Sequence, residues 1–250
     1  MDLNKKQPIV EVYPCLQSEG SLAGIPHFCI RTTGCTLRCQ FSKTDFCDSW
    51  YTSWKPEKGS FSINEVFSEL EEYPHIKHVF ITGGSPTMHP ELLRALCNNL
   101  HDTGYMITLE TEGSRFVDDC WIDLLSLSPK MRNSMPRVGT QGPHGREVSQ
   151  KDLDRHNKNR ANYDVMKQWI ASAQDYQYKP VMSDTSEAVE IFDLADKLNI
   201  PNSKIWIMPA GGSEEELQLR RVEIMEYCWK AGVNYTDRYH ITAYGTKRGV

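Results

Sequence analysis

The chain has 250 residues, 39% of them hydrophobic, and a formal net charge of −5. This length and apolar content suffice for a sizeable core, and α/β barrel-type domains of this size are often single units. The acidic balance argues against direct nucleic-acid binding, which needs a concentrated basic face. Eight cysteines, a start without a signal-peptide pattern and no apolar run of about 18 residues predict a reducing, cytoplasmic location and no membrane partner.

Hydrophobic runs bounded by turn residues predict the secondary structure in chain order. A first strand covers 9–13, and a second at 27–31 leads directly into a cysteine-rich loop. Ser62-Ile63-Asn64-Glu65 has the capping-box pattern and begins an amphipathic helix. Further strands are predicted at 78–82, 105–109, 123–127, 176–182 and 204–209, and further helices at 90–101, 184–198 and 213–231.

The repeated order of strand, polar strand end and helix is typical of βα units and a mostly parallel sheet. The number of strands fits an incomplete barrel. We therefore predict an α/β fold: one domain over 1–250, built as a partial TIM-type barrel of mostly parallel strands. Pro180 removes a ladder donor, so the strand at 176–182 lies at an edge or is broken there.

A basic, irregular excursion occupies the chain from 131 to 163, with a short helix after Ser149. Two interpretations are open. The excursion is either a solvated loop or a contact surface for an anionic partner, and a solvated loop is the more common outcome for such a composition.

Cys35, Cys39 and Cys47 fall within 13 residues. An iron-sulfur cluster needs several thiolates from one short flexible loop, whereas structural zinc usually takes four ligands from paired knuckles, and no second Cys or His pair follows here. Three protein ligands on a four-iron cluster leave one iron open for a substrate or cofactor. The remaining cysteines are predicted to be small buried residues: Cys15, Cys29, Cys97, Cys120 and Cys228.

Polar residues and glycines stand at several predicted strand ends, namely Gln17, Glu19, Arg31 and Gly83-Gly84. Because α/β sheets place ligands at the carboxyl ends of their strands, these residues are candidates for facing a reaction chamber. The alternatives are solvated strand ends for the polar residues and a plain strand-to-loop turn for the glycines.

Taken together, these motifs resemble the 7-carboxy-7-deazaguanine synthase family of radical S-adenosylmethionine enzymes. The resemblance extends from about residue 9 to the last residue, apart from the excursion. The motifs that carry it are, in chain order, Gln17-x-Glu19-Gly20, Arg31, the loop ending Cys47-Asp48-Ser49, Gly83-Gly84-x-Pro86, Glu110-Thr111-x-Gly113, Ser128-Pro129-Lys130, Met208-Pro209, His240 and Lys247-Arg248-Gly249-Val250.

The resemblance implies a specific reaction. S-adenosylmethionine is cleaved reductively at the open iron of a [4Fe-4S] cluster, and the resulting radical takes a hydrogen from C6 of 6-carboxy-5,6,7,8-tetrahydropterin. Ring contraction and loss of ammonia give 7-carboxy-7-deazaguanine, with S-adenosylmethionine regenerated and Mg²⁺ assisting. It also implies an electron donor such as flavodoxin and a homodimer.

The resemblance assigns roles to individual residues. Cluster ligands are Cys35, Cys39 and Cys47, and the hydroxyl of Ser49 is a Mg²⁺ ligand. Substrate-binding positions are Gln17, Glu19, Arg31, Glu110, His240 and the terminal carboxylate of Val250. The S-adenosylmethionine site is assigned to Gly83, Gly84, Ser85, Ser128 and Lys130.

The sequence departs from the family pattern at two positions. Ser42 stands where the superfamily's CxxxCxxC loop has its third cysteine, so an insertion must make Cys47 the third ligand. Ser85 replaces a glutamate associated with the amino group of S-adenosylmethionine. A serine can hydrogen-bond to an ammonium but cannot neutralise it, so a Ser85→Glu variant is predicted to bind the cofactor more tightly than the natural chain.

Two other functions stay open from the sequence. An activase of a glycyl-radical or ribonucleotide-reductase partner shares the cluster and the glycine motif, but gives no reason for Gln17, Glu19 and the His240 tail. A non-catalytic descendant of the enzyme is compatible with the substitutions at Ser42 and Ser85.

Overall fold

The structure is a computed structural model that describes residues 2–143 and 145–250. Its main sheet has six strands in sequence order, and all neighbours are parallel except the first pair, which is antiparallel. The strands are β1 (Ile9–Leu16), β2 (Pro26–Thr32), β3 (His78–Gly83), β4 (Met106–Thr111), β5 (Leu124–Leu127) and β6 (Asp175–Tyr178).

A shorter parallel sheet continues the main one. It contains β7 (Val181–Met182), β8 (Trp206–Pro209) and β9 (Asn234–Tyr235), and a parallel bridge from Tyr178 to Ile205 joins it to β6. Within the described residues, no strand pairing joins β9 back to β1, so the barrel is incomplete, as the sequence predicts. The strand predicted at 176–182 is interrupted at Pro180, between the end of β6 and the start of β7. This confirms the predicted break in that strand.

Eight α-helices of the described chain connect or follow these strands. They are α1 (Trp50–Ser53), α2 (Ile63–Glu71), α3 (Pro90–Asp102), α4 (Gln150–Asn159), α5 (Tyr163–Ser172), α6 (Ala188–Lys197), α7 (Glu214–Ala231) and α8 (Tyr239–Tyr244). The capping box of α2 is formed as predicted, with the Ser62 hydroxyl accepting from the Glu65 amide and the Glu65 carboxylate accepting from the Ser62 amide.

The hydrophobic core lies between the sheet and the longer helices. Leu109, Leu125 and Tyr178 point towards the helices and are fully buried, and Leu96 and Trp169 pack against that face from α3 and α5. Alternate strand residues point to the other face, because side chains alternate along a strand. That inner face carries polar groups, and the pocket described below is built on it.

The structure confirms one helix predicted in the 131–163 excursion and adds a second helix at its end. A helix does follow Ser149, whose side chain and that of Asp152 form a capping box for α4. The helix α5, which begins at the end of the excursion, was not predicted. No helix of the described chain is both long enough and apolar enough to cross a membrane.

Candidate functional site

A pocket of about 250 Å³ opens at the carboxyl ends of the parallel strands. This is the edge at which α/β barrels place their ligands. All but one of the site residues predicted from the sequence line it: Gln17, Glu19, Arg31, Cys35, Cys39, Cys47, Ser49, Gly83, Gly84, Glu110, Ser128, Lys130, His240 and Val250. The exception is Ser85, which is completely buried behind the pocket wall.

The three cysteines of the loop face the same end of this pocket. Cys35 and Cys39 are buried and Cys47 is half-buried, and the amide of Cys47 donates to the carbonyl of Cys39 at 3.3 Å. The loop thus folds back so that Cys47 lies beside the other two, despite the extra residues before it. Burial raises the pKa of the Cys35 thiol to about 12, and the nearby charge of Glu112 adds to that rise.

The thiols of Cys39 and Cys47 also have raised pKa values, again chiefly because they are buried. A bound metal overrides this preference, since a coordinating thiol is deprotonated by the ion. Ligands of one zinc ion lie within about 4 Å of each other, given zinc–sulfur bonds of about 2.3 Å. In the described chain, no three Cys, His, Asp or Glu side chains are grouped around a single ion in that way.

Helix α4 holds the cysteine loop in place. Arg155 donates to the carbonyl oxygens of Cys35 at 2.6 Å and Thr36 at 3.0 Å, and the amide of Arg38 donates to the ring of His156 at 3.3 Å. His156 is fully buried. The prediction of a solvated loop is therefore wrong for this part of the excursion, because α4 packs on the loop and satisfies its backbone carbonyls.

A buried lysine joins two of the predicted substrate-binding carboxylates. Lys179, only 1% exposed, donates to Glu110 at 2.8 Å and to Glu19 at 2.5 Å. Arg238 also pairs with Glu19, at 3.2 Å, and with Asp48. Burial would raise the pKa of Glu19, but the charges of Lys179 and Arg238 outweigh it and lower that pKa to about 2. Neither Lys179 nor Arg238 was predicted from the sequence to be a site residue.

Arg31 is fixed by neighbours on β1. Its Nε donates to Glu11 at 2.7 Å and its Nη2 donates to the hydroxyl of Tyr13 at 3.2 Å. Arg248, from the C-terminal tail, donates to the other oxygen of Glu11 at 2.7 Å and lies 3.5 Å from the centre of the Tyr51 ring. The tail therefore closes over the side of the pocket where Arg31 lies.

The two glycines after β3 allow close packing of protein backbone. A Cβ on Gly83 would lie 2.1 Å from the carbonyl oxygen of Thr32, and a Cβ on Gly84 would lie 2.2 Å from that of Gly34. These contacts bring the glycine turn against the start of the cysteine loop. The requirement for glycine here comes from the approach of β2 and the loop, while the turn itself still lines the pocket.

The other predicted residues have identifiable neighbours. Lys130 donates to the carbonyl and hydroxyl oxygens of Ser128, at 2.8 and 2.7 Å. The hydroxyl of Ser49 lies 3.5 Å from the sulfur of Cys47. His240 is half-buried, and burial lowers its pKa although Glu19 opposes that change.

Comparison with known proteins identifies the family. The profile of the Radical SAM superfamily matches residues 29–219, which is most of the chain. A 7-carboxy-7-deazaguanine synthase from Halobacterium salinarum is 35% identical over 240 residues, covering 94% of this chain and 89% of the relative. This chain belongs to the 7-carboxy-7-deazaguanine synthase family of radical SAM enzymes.

Further comparisons agree with that assignment. The 7-carboxy-7-deazaguanine synthase of Rhodopirellula baltica is 36% identical over 242 residues, covering 96% of this chain and 88% of the relative. The crystal structure of QueE from Escherichia coli superposes with a TM-score of 0.54 at 20% identity, covering 93% of both chains. That likeness supports the fold, the incomplete barrel of mostly parallel strands.

A 7-carboxy-7-deazaguanine synthase uses a [4Fe-4S] cluster and S-adenosylmethionine. The groups at the cysteine end of the pocket suit both cofactors. Three thiols from one loop are the ligand type that such a cluster takes, and they leave one iron without a protein ligand. Next to them, a carboxylate oxygen of Glu112 is buried without a hydrogen-bond partner among the described residues. That oxygen suits a cationic group on the cofactor.

Proposed function

We propose that this chain converts 6-carboxy-5,6,7,8-tetrahydropterin to 7-carboxy-7-deazaguanine and ammonia. One observation carries the proposal most strongly: a single pocket is lined both by three loop cysteines and by the charged residues Arg31, Glu19 and Glu110. Buried Lys179 donates to both carboxylates. A pterin acid has a carboxylate at one edge and ring N–H donors at the other. The charges of the pocket match both kinds of group.

We assign the following substrate contacts. Arg31 binds the substrate carboxylate, because its guanidinium is a planar donor held in place by Glu11 and Tyr13. Glu19 and Glu110 accept hydrogen bonds from the pterin ring, and Lys179 holds both carboxylates in place by donating to each. Gln17, His240 and Val250 line the same pocket and complete the wall around the substrate.

The cluster and S-adenosylmethionine, when bound, supply a 5′-deoxyadenosyl radical at the cysteine end of the pocket. Cys35, Cys39 and Cys47 would hold the cluster, and Gly83, Gly84, Ser128 and Lys130, which line the same pocket, would bind S-adenosylmethionine. The tail around Arg248 covers the opposite side and limits the access of water. Such exclusion protects a radical from side reactions.

We propose that Mg²⁺ binds between Ser49 and oxygens of the substrate. Ser49 follows the third cysteine closely and its hydroxyl faces the pocket. Mg²⁺ prefers oxygen ligands and usually keeps several waters, so one protein hydroxyl with substrate oxygens is a suitable set.

We propose that a small electron-transfer protein such as flavodoxin reduces the cluster in the cytoplasm. Lys43 and Thr44 are exposed on the cysteine loop, which brings the outer side of the cluster loop to the molecular surface. All eight cysteines of the chain are free thiols, as a reducing compartment requires.

We propose a homodimer through α7. Its exposed face carries an apolar row in which Leu219 is 81% and Trp229 is 69% exposed, with Val222 and Met225 between them. Contiguous exposed apolar residues are typical of subunit interfaces, and a second copy of the same helix offers a matching apolar surface. Light scattering of the wild type and a Trp229→Glu variant tests this: the dimer should persist only in the wild type.

The function is tested by anaerobic reconstitution of the cluster, followed by reaction with 6-carboxy-5,6,7,8-tetrahydropterin, S-adenosylmethionine, Mg²⁺ and a reductant. The expected result is 7-carboxy-7-deazaguanine and ammonia in equal amounts, identified by mass spectrometry. Cleavage of S-adenosylmethionine without any product from the pterin would refute the proposed substrate and would favour a protein-activating function instead.

A further inference from the structure

Glu112 lies at the end of β4, in the wall of the pocket beside Cys35. Only 5% of the residue is exposed. One of its carboxylate oxygens, Oε1, accepts hydrogen bonds from the hydroxyls of Thr36 at 2.7 Å, Ser85 at 2.8 Å and Ser114. These three hydroxyls come from the cysteine loop, the turn after β3 and the turn after β4, so the carboxylate is held from three directions.

The second carboxylate oxygen of Glu112, Oε2, has no such hydrogen bonds within the described chain. It is buried and has no hydrogen-bond partner among the residues that the structure describes. Nor does any lysine, arginine or histidine of residues 2–143 and 145–250 form an ion pair with Glu112. A buried carboxylate oxygen without a hydrogen-bond partner is costly, so the site favours a donor from outside the chain, and a cationic donor suits it best.

The location of Glu112 limits what that cation is. The carboxylate lies next to the cluster cysteines, close enough for its charge to raise the pKa of both Cys35 and Cys39. S-adenosylmethionine binds at this end of the pocket and carries an α-ammonium group. A carboxylate oxygen and an ammonium form a charge-assisted hydrogen bond, which is stronger than one between neutral groups.

We propose that Glu112 is the anionic partner of the ammonium group of S-adenosylmethionine in this chain. Ser85 then acts indirectly. It is fully buried and does not line the pocket, and its hydroxyl both donates to Glu112 and lies 3.0 Å from the hydroxyl of Thr87. The negative charge that Ser85 lacks is supplied by its neighbour on the adjacent turn.

This arrangement reverses the prediction made for Ser85→Glu from the sequence. A glutamate at position 85 would place a second carboxylate beside Glu112, where like charges repel in a buried site. We now expect the single variant to bind S-adenosylmethionine more weakly than the wild type. The carboxylate should still be functional when it is moved from position 112 to position 85. The double variant Ser85→Glu/Glu112→Ser keeps one carboxylate and one hydroxyl in the same space.

The test measures binding of S-adenosylmethionine to anaerobically reconstituted protein, without reductant, by isothermal titration calorimetry. Glu112→Gln keeps the shape and accepts the same hydroxyl hydrogen bonds but removes the charge. It should weaken binding about ten- to a hundredfold, the range for hydrogen bonds to charged groups. The matched ligand is 5′-methylthioadenosine, which lacks the ammonium, and its affinity should change by less than about twofold.

The double variant Ser85→Glu/Glu112→Ser should bind S-adenosylmethionine within about threefold of the wild type. Iron content and the thermal midpoint are measured for each variant to check assembly. Should Glu112→Gln fail to assemble, the wild type is titrated with S-adenosylmethionine and its des-amino analogue, and equal affinities would overturn the proposal. Unchanged binding by Glu112→Gln, or an equal loss for both ligands, would also overturn it.

The inference depends on the binding of S-adenosylmethionine and not on the identity of the pterin. A chain that binds the cofactor through Glu112 but does not turn over the pterin would refute the proposed function and leave this inference standing. Turnover of the pterin, together with unchanged S-adenosylmethionine binding by Glu112→Gln, would refute this inference and leave the proposed function standing.

Discussion

The ammonium nitrogen of Lys179 lies 2.8 Å from a carboxylate oxygen of Glu110, on the inner face of the sheet. The two residues are 69 positions apart in the chain, and Lys179 also donates to Glu19. Burial alone would lower the pKa of Lys179, but the charges of Glu110 and Glu19 raise it instead. The lysine is therefore a fixed cation among the proposed substrate contacts, and it should be essential to the stability of the pocket.

We predict that Lys179→Met lowers the free energy of unfolding by about 3 kcal/mol, because removing one partner leaves buried charges uncompensated. Urea unfolding under anaerobic conditions measures the change. The matched control is Lys204→Met, which removes an exposed ion pair with Asp175 and should cost less than about 1 kcal/mol. Similar losses in the free energy of unfolding for both variants would show that the buried ion pairs of Lys179 stabilise the protein no more than an exposed pair does.

Arg31 should contribute to substrate affinity and not to cofactor affinity. We expect Arg31→Lys to raise the KM for the pterin about tenfold, since lysine cannot reproduce the planar pair of donors. The dissociation constant of S-adenosylmethionine should stay the same. Arg132→Lys, on an exposed side chain, serves as the control. An equal change in the KM for the pterin and in the dissociation constant of S-adenosylmethionine would show that Arg31 supports the structure of the pocket and does not bind the substrate specifically.

Helix α4 should help to retain the cluster. Arg155→Met removes the donors to the carbonyls of Cys35 and Thr36, and we expect iron to be lost to a chelator about tenfold faster, as for other residues that orient metal ligands. Lys158→Met, on an exposed residue of the same helix, should leave the rate unchanged. Equal rates for the two variants would refute a supporting role for α4.

His156 should make the protein less stable in mild acid. Burial, followed by the charges of Arg160 and Lys130, lowers its pKa from 6.5 to about 3. A histidine with a lowered pKa stays neutral in the folded state, so stability is full above pH 6.5 and falls as the unfolded chain takes up a proton below it. Between pH 7.5 and 5.5 the loss should be about 1.4 kcal/mol.

Urea unfolding of the wild type and of His156→Gln at these two pH values measures the contribution of the ring. The variant has no imidazole to titrate, so its free energy of unfolding should change less between the two conditions. A wild type and variant with the same pH dependence would assign the acid sensitivity to other groups.

Local signals predicted most of the fold. The capping box at Ser62 and the apolar spacing of α2 act over a few residues, and the structure confirms both. Helix α5 was missed because its buried face is small, with Met166 and Trp169 buried, and because it follows a polar stretch in which its cap residue, Asn162, does not stand out. Its position is fixed by contacts with the sheet.

The missing parts of the site depend on long-range contacts. Lys179 and Glu19 are 160 residues apart, and Arg238 and Asp48 are 190 apart, so no spacing motif indicates either pair. One local signal was available: Gln177 and Lys179 alternate with the aromatic residues of β6, which places both on the inner face. Glu112 stands at the unspecified position of the motif Glu110-Thr111-x-Gly113, in which only Glu110 was given a role.

The most direct test of the account uses 6-carboxy-5,6,7,8-tetrahydropterin that carries deuterium at C6, reacted with the reconstituted protein, S-adenosylmethionine and a reductant. We predict that the wild type forms 7-carboxy-7-deazaguanine and that deuterium appears in the S-adenosylmethionine recovered afterwards. Cys47→Ala should give neither result, while Cys97→Ala, on a buried residue of α3, should give both. Product formed by Cys47→Ala, or by the wild type without deuterium transfer, would contradict the account.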